Sequence, residues 1–150
     1  MSKQQQLTIK NKRAAFEYSF LSTYKAGIML TGTEVKSIRE GKANLTDSFC
    51  ILTNGELWVK NLHISEYSHG SYNNHDTKRI RKLLLNKSEL TKLQSKMKEK
   101  GNTIIPIQIF FNERGIAKLE IALARGKKEF DKREGIKKRD IEREISRGEN

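Results

Sequence analysis

Short runs rich in β-branched and aromatic residues, separated by turn-forming residues, constrain the fold of this chain most strongly. Six such runs lie at residues 14–22, 27–32, 48–53, 56–62, 103–111 and 116–124, and their length and composition are typical of strands. Asn54-Gly55 suits a type I′ hairpin turn because both residues tolerate positive φ, and residues 112–115 can close a second hairpin. Pro106 lies near the start of its run, where it indicates an edge or a bulge. The sequence therefore predicts a mainly β protein.

Two helices are predicted between these strands. The first covers residues 33–39, with Thr33 as its N-cap and its end near Gly41, and the second covers 88–101. In the second, Leu90, Leu93 and Met97 form one apolar stripe, while the lysines between them face solvent. Six short strands leave exposed edges unless the sheet closes. We therefore expect an OB-fold-like antiparallel barrel of about six strands with flanking helices.

Size and charge limit the class of protein. The chain has 150 residues and a formal charge of +12, which predicts one small domain and a polyanionic partner. It lacks an apolar stretch long enough for a membrane span and an apolar leader, so we expect a cytoplasmic protein that does not bind membranes. Cys50 is the only cysteine, which excludes an intramolecular disulfide and indicates a buried thiol.

The chain divides at residue 125. Residues 1–124 form the predicted barrel, whereas 125–150 contain ten basic and seven acidic side chains but only four large apolar ones. So little apolar surface cannot offset the entropy of ordering, which predicts a basic tail that is disordered when free. Ile141 and Ile145 offer a weak helical face for a partner. A tail that merely aids solubility explains the same composition.

No catalytic or metal-binding pattern stands out. His63, His69 and His75 are too far apart for one helix face, and neither a nucleophile elbow nor a P-loop is present. We therefore expect neither a cofactor nor an enzyme. Three basic runs, at residues 11–13, 78–82 and 125–128, instead suit phosphate, and Tyr67, Tyr72 and His75 could stack on unpaired bases. An ordinary charged surface with aromatic residues in the core explains these runs equally well.

Several motifs follow one another in a characteristic order: Asn11-Lys12-Arg13-Ala14 with Glu17-Tyr18, Ala26-Gly27-Ile28, the segment 32–39, Arg81-Lys82-Leu83-Leu84-Leu85, and Gly126-Lys127-Lys128 before Asp131-Lys132-Arg133. Together they resemble the small protein B (SsrA-binding protein) family of bacterial trans-translation. The resemblance implies an OB-type barrel that binds the tRNA-like domain of transfer-messenger RNA (tmRNA) and joins it on a stalled ribosome. It also implies a monomer that meets elongation factor Tu only indirectly, through the aminoacylated tmRNA.

The resemblance further assigns residues to two interfaces. The tmRNA-binding residues that it implies are Asn11, Lys12, Arg13, Glu34, Lys36, His75, Arg79 and Arg81. We expect Glu34 to orient an arginine or accept a hydrogen bond from a 2′-hydroxyl, although a carboxylate that only stabilises the helix N-terminus fits its position as well. The residues implied for the tail, which would enter the vacant messenger channel near the decoding centre, are Lys127, Lys128, Phe130, Asp131, Lys132, Arg133, Ile136, Lys137 and Arg139.

Two positions depart from the family pattern. Lys25 replaces an acidic residue, so this position would meet an RNA phosphate directly, and Ile141 stands where many members carry tryptophan.

Two other functions remain open on the residues alone. One is an RNA-processing enzyme that holds its substrate on an OB-like module, and the other is a general single-strand binder with little sequence preference.

Overall fold

The computed structural model describes residues 7–69 and 74–127. The strands of this part of the chain are β1 (Thr8–Lys10), β2 (Tyr18–Ile28), β3 (Ala43–Asn44), β4 (Phe49–Thr53), β5 (Glu56–Lys60), β6 (His63–Ile64), β7 (Arg81–Leu84), β8 (Asn102–Phe111) and β9 (Ala117–Gly126). The helices are α1 (Ala14–Glu17), α2 (Gly32–Arg39) and α3 (Lys87–Lys96). None of these helices is long and apolar enough to cross a membrane.

A closed antiparallel barrel forms the body of the fold. Its spatial order is β8-β4-β5-β7-β2-β9, and β9 pairs again with β8 to complete the ring. β1 pairs with β8 at residues 108–110, next to the single pairing of β4 with β8 at Ile104, so β1 and β4 follow one another along one edge of β8. The predicted mainly β, OB-like barrel with flanking helices is confirmed.

The core fills the barrel and extends to its outer wall at β9. Ile104, Leu119 and Ile121 have no exposed surface inside the ring, and Leu93 of α3 closes one part of it. Ala14 of α1 packs in a second cluster with Ile105, Ala122 and Ala124. β9 is therefore covered on both faces. Cys50 is buried as predicted, and burial raises the pKa of its thiol.

Both predicted hairpins are present. Asn54 and Gly55 have φ values of 53° and 75°, which fit the type I′ turn between β4 and β5. β8 and β9 are joined by the turn that ends at Gly115, whose φ is 77°. The register between β8 and β9 shifts between Pro106 and Gln108, which agrees with a bulge, one of the two alternatives that the proline indicated.

The predicted first two strands are wrong in their bounds. Residues 14–17 form α1 instead of a strand. The backbone N–H groups of Phe16 and Glu17 donate to the Arg13 carbonyl, and the side chains of Arg13 and Glu17 form an ion pair at 3.2 Å. Residues 18–22 of the predicted first strand and Gly27–Ile28 of the predicted second strand belong to one continuous strand, β2. Gly27 lies within the ladders to β9 and β7, and the absence of a side chain suits the approach of β7, because a Cβ there would lie 3.4 Å from the Cβ of Leu84. Sequence analysis also missed β1, β3, β6 and β7.

The two predicted helices exist with shifted ends. α2 starts at Gly32, and its N-cap is Thr31 and not Thr33. α3 is shorter than predicted and ends at Lys96, after which the chain turns through Gly101 at a φ of 90°. Its stripe of Leu90, Leu93 and Met97 faces the core as expected.

The hairpin turn provides a stability test. Gly55→Ala should lower the free energy of unfolding by about 1–2 kcal/mol, because an alanine at positive φ is strained. Gly32→Ala is the matched control, since it has an ordinary helical conformation and open space around the added Cβ; its stability should stay the same or rise by up to about 1 kcal/mol. Urea unfolding of both variants measures the difference, and equal midpoints would contradict the turn assignment.

Candidate RNA-binding site

The first turn of α2 organises one group of predicted site residues. Thr31 Oγ1 accepts a hydrogen bond from the Glu34 backbone N–H, and the Glu34 carboxylate accepts one from the Thr31 N–H at 2.8 Å. This reciprocal pair is a capping box, and its Thr-x-x-Glu spacing is visible in the sequence. The box fixes the Glu34 carboxylate at the helix start.

The Glu34 carboxylate is fully buried between two arginines. Its Oε1 accepts from Arg79 Nη2 at 2.6 Å, and its Oε2 accepts from Arg79 Nε at 3.3 Å and from Arg81 Nε at 2.5 Å. Burial acts to raise the pKa of Glu34, but the hydrogen bonds from Arg79 and Thr31 and the charge of Arg81 outweigh it. The pKa therefore lies below its usual value, and the carboxylate is ionised at neutral pH.

Arg81 lies on β7 and has no exposed surface. Besides Glu34, its guanidinium binds the carbonyls of Leu62 at 2.7 Å, Thr77 at 3.3 Å and Asp76 at 3.4 Å. Every side of the guanidinium is thus occupied by protein. The direct RNA contact expected of Arg81 is not available in this structure, and the same holds for buried Glu34.

Arg79 differs from Arg81 because one edge of its guanidinium reaches the surface. Its Nε and Nη2 bind Glu34, and Nη2 also donates to the Met29 carbonyl at 3.1 Å. Nη1 has no hydrogen-bond partner among the described residues, and 37% of the side chain is exposed. Arg79 therefore presents a fixed donor edge to solvent, a geometry that suits a phosphate.

His75 supports this corner of the fold from inside. Its Nε2 lies 2.9 Å from the Ile64 carbonyl, which can only accept, so Nε2 carries the proton and Nδ1 accepts from the Thr33 hydroxyl at 2.9 Å. The residue is only 7% exposed. In this structure the ring of His75 offers little exposed face on which a base could stack, because both of its nitrogens have protein partners and the residue is buried.

Lys36 is exposed on α2, and its Nζ lies 5.5 Å from the centroid of the Tyr67 ring. Asn74 joins its own segment to Tyr67 by two hydrogen bonds, from Tyr67 N to Oδ1 at 3.1 Å and from Nδ2 to the Tyr67 carbonyl at 2.8 Å. The half-buried Tyr67 is thereby held next to Lys36. Sequence analysis missed Asn74, whose partner is defined only by the folded chain, and Tyr72 lies outside the described residues.

Asn11 fills the place where the partner of β8 changes from β1 to β4. Its Nδ2 donates to the carbonyls of Pro106 at 3.0 Å and Leu45 at 3.2 Å, and its backbone N–H donates to the Ile107 carbonyl at 2.7 Å. Its Oδ1 is buried without a protein partner among the described residues. The structure thus gives Asn11 a bracing role, while the next two residues, Lys12 and Arg13, are exposed.

Lys127 is attached to the same corner. Its backbone N–H donates to the Glu17 carbonyl at 2.8 Å, and its Nζ donates to the Ala15 carbonyl at 2.9 Å. These bonds extend the pairing of β9 with β2 and attach the chain to α1. Because α1 follows Arg13 directly, Lys127 lies close to the Asn11–Arg13 segment. The other predicted tail residues, Lys128, Phe130, Asp131, Lys132, Arg133, Ile136, Lys137 and Arg139, lie outside the described residues.

Lys25 belongs to a separate groove. It is exposed on β2, with its Nζ 5.8 Å from the centroid of the Phe110 ring. The groove has a volume of about 640 Å³ and also contains Arg114 and Lys118. It carries more positive than negative charge, with Glu113 as its one carboxylate among these residues. A cation at position 25 is thus compatible with phosphate.

A closed OB-like barrel with exposed cations at several places is an architecture of nucleic-acid-binding proteins. Among the described residues, no group of three or more His, Cys, Asp or Glu side chains could hold a metal ion. The family model described as SmpB protein matches residues 8–150. The chain belongs to this family, which confirms the resemblance seen in its motifs.

Individual proteins give the same result. The chain is 60% identical over 145 residues to the SsrA-binding protein of Bacteroides thetaiotaomicron, covering 97% of each. It is 58% identical over 135 residues to the SsrA-binding protein of Thermosipho melanesiensis, covering 90% of this chain and 92% of that one. A solved chain described by the words "tmRNA-SmpB: a journey to the center of the bacterial ribosome" matches with a TM-score of 0.69 and 52% identity, covering 81% of this chain and 85% of that chain.

The buried carboxylate gives a test with a defined pH dependence. Glu34→Gln should lower the free energy of unfolding at pH 7 by about 3–5 kcal/mol, because Arg81 stays buried without its counter-charge. In the wild type, the contribution of Glu34 is complete above its ordinary pKa of 4.5 and is lost as the pH falls through the lower folded-state pKa. The variant should lack this acid-dependent loss.

Urea unfolding at several pH values between 3 and 7 measures this effect. Glu113→Gln is the control, since it removes the same charge from an exposed turn residue and should change stability by less than about 0.5 kcal/mol. If both variants unfolded at the same urea concentration at pH 7, the buried ion pairs of Glu34 with Arg79 and Arg81 would not stabilise the fold as predicted.

Proposed function

We propose that this protein binds the tRNA-like domain of tmRNA and delivers it to stalled ribosomes, where the incomplete nascent chain is tagged. One observation carries the proposal. The chain belongs to the SmpB protein family and matches, at 52% identity, a solved chain described as tmRNA-SmpB in the bacterial ribosome. The role is one of binding and delivery without catalysis, and its place is the cytoplasm, where the ribosomes are.

The exposed cations of the barrel form the proposed tmRNA interface. Lys12, Arg13, Lys36 and Arg79 present their charges to solvent, and Lys25 adds a further cation on β2. Phosphate contacts by such residues supply most of the affinity for RNA and fix its orientation. Among them, Arg79 is the best prepared for a directed contact because Glu34 holds its guanidinium in place.

The buried members of the predicted site act through their neighbours. Glu34 and Arg81 position Arg79, His75 braces Thr33 at the start of α2, and Asn11 braces the segment that carries Lys12 and Arg13. A preset side chain loses less conformational entropy when RNA binds. These residues thus contribute to affinity without touching RNA.

The ribosome is the proposed partner of the segment after the barrel. Residues 1–124 form the proposed tmRNA-binding body and 125–150 the ribosome-binding tail, which enters the vacant messenger channel and brings Phe130 against a decoding-centre base. Lys127 is fastened to α1 and so gives this tail a defined starting point. The protein acts as a monomer and meets elongation factor Tu only through the aminoacylated tmRNA.

A binding titration tests the body. The wild type should bind the transcribed tRNA-like domain at least about 100-fold more tightly than a random RNA of equal length. Arg79→Ala should bind this domain roughly 10- to 150-fold more weakly, and the slope of log affinity against log salt should become shallower by about one. Lys92→Ala, which removes an exposed cation of α3, is the control and should change neither strongly. Equal wild-type affinity for both RNAs would instead support a general RNA binder.

A second experiment tests the division between body and tail. Arg133→Ala, or deletion from residue 131 onward, should leave the affinity for the tRNA-like domain within about twofold but block tagging of nascent chains in a reconstituted translation system. The expected separation arises because the tail contacts only the ribosome. A truncation that also abolished binding of the isolated domain would refute this division.

A further inference from the structure

An apolar groove crosses the outer wall of the barrel at β4, β5 and β7. Ile51 of β4 lies opposite Trp58 of β5, and Trp58 lies opposite Lys82 of β7. Ile80, just before β7, is 48% exposed and joins them. The groove has a volume of about 450 Å³. Outward positions of a solvated barrel strand are ordinarily polar, so a tryptophan and two isoleucines that line one groove indicate a binding surface.

Polar groups surround this apolar floor. Thr53 and Asn54 lie at the hairpin end of the groove, and neither side chain has a hydrogen-bond partner among the described residues. Lys60 lines the groove as well, and Lys82 forms an ion pair with Glu56 at 3.4 Å. The groove thus offers an aromatic floor, apolar walls and unused hydrogen-bonding groups at its rim.

The charge around the groove determines which partner fits. Lys60 lines the groove and Lys82 lies opposite Trp58, while Glu56 is the only carboxylate among the described lining residues. This excess of positive charge favours a polyanion over an apolar protein segment.

We propose that this groove is a nucleobase-binding site, in which an unpaired base of the tRNA-like domain stacks on Trp58. The proposal rests on the proposed function and extends it, since it adds a contact with a base to the contacts with phosphates. Ile51 and Ile80 pack against the edges of the base, Thr53 and Asn54 hydrogen-bond to its polar edge, and Lys60 and Lys82 bind the flanking phosphates. Stacking of this kind tolerates different bases because each has a π face.

Trp58 itself reports on the site, because it is the only tryptophan in the chain. Titration of the wild type with the transcribed tRNA-like domain should quench its fluorescence, with a midpoint that matches the affinity measured independently by anisotropy of labelled RNA. Free mononucleotides at the same base concentration should not quench it, since they lack the flanking phosphates that provide affinity. Binding seen by anisotropy without quenching would overturn the proposal.

Substitutions of Trp58 test the contribution of its ring to binding of the tRNA-like domain. Trp58→Phe keeps a stacking ring and should bind within about threefold of the wild type, whereas Trp58→Leu keeps an apolar side chain without a π face and should bind roughly 5- to 150-fold more weakly. Each is measured against the tRNA-like domain and against small ribosomal subunits, after thermal melting has shown that the variant is folded. Ile116→Ala removes another apolar side chain that is 52% exposed and is the control.

The outcomes are distinct. Weaker binding of Trp58→Leu to the tRNA-like domain, together with quenching of wild-type fluorescence by that RNA, supports the site. Wild-type affinity of Trp58→Leu for the tRNA-like domain overturns the site and leaves the proposed function intact; weaker binding to small ribosomal subunits alone would then place a ribosomal contact at the groove. Failure of the wild type to prefer the tRNA-like domain over random RNA refutes the proposed function itself.

Discussion

The structure depends on one buried carboxylate. Glu34 closes the capping box of α2 and at the same time binds two arginines: Arg79, just before β7, and Arg81, the first residue of β7. A buried charge of this kind is costly unless each of its oxygens is paired, and here each one is. The same bonds that pair the carboxylate leave one edge of Arg79 free at the surface. The folding requirement and the proposed binding function therefore rely on the same atoms.

Some of the exposed cations of the barrel lie next to points where a strand changes its partner or ends. Asn11 braces the place where β8 passes from β1 to β4, and Lys12 and Arg13 follow it directly. Lys127 ties the end of β9 to α1, so the start of the proposed tail lies beside that same segment. Such junctions need side chains or extra backbone bonds to satisfy polar groups that no regular ladder reaches. The motifs found in the sequence thus include structural braces as well as residues that face solvent.

Local patterns predicted the parts of the fold that local forces control. The Asn54-Gly55 turn and the inward stripe of α3 were predicted, and Pro106 indicated an edge or a bulge, because backbone conformation and helical spacing act within a few residues. The continuity of β2 was not foreseen, since Gly27 resembles a turn residue when its neighbour Leu84 is unknown. The segment of β7 was predicted only as part of a basic run and of a family motif, because its partner strands β2 and β5 are distant in the sequence.

The sequence by itself determined a basic, mainly β chain with the motifs of its family. It also indicated which residue types suit RNA. Only the tertiary structure decided which of those residues reach solvent: Arg79 does, whereas Arg81, two positions away, has every side of its guanidinium occupied by carbonyls and Glu34. Charge and spacing are properties of the chain, but burial depends on which distant strand covers a side chain. The physical reason is that desolvation is decided by long-range packing, and no local pattern records it.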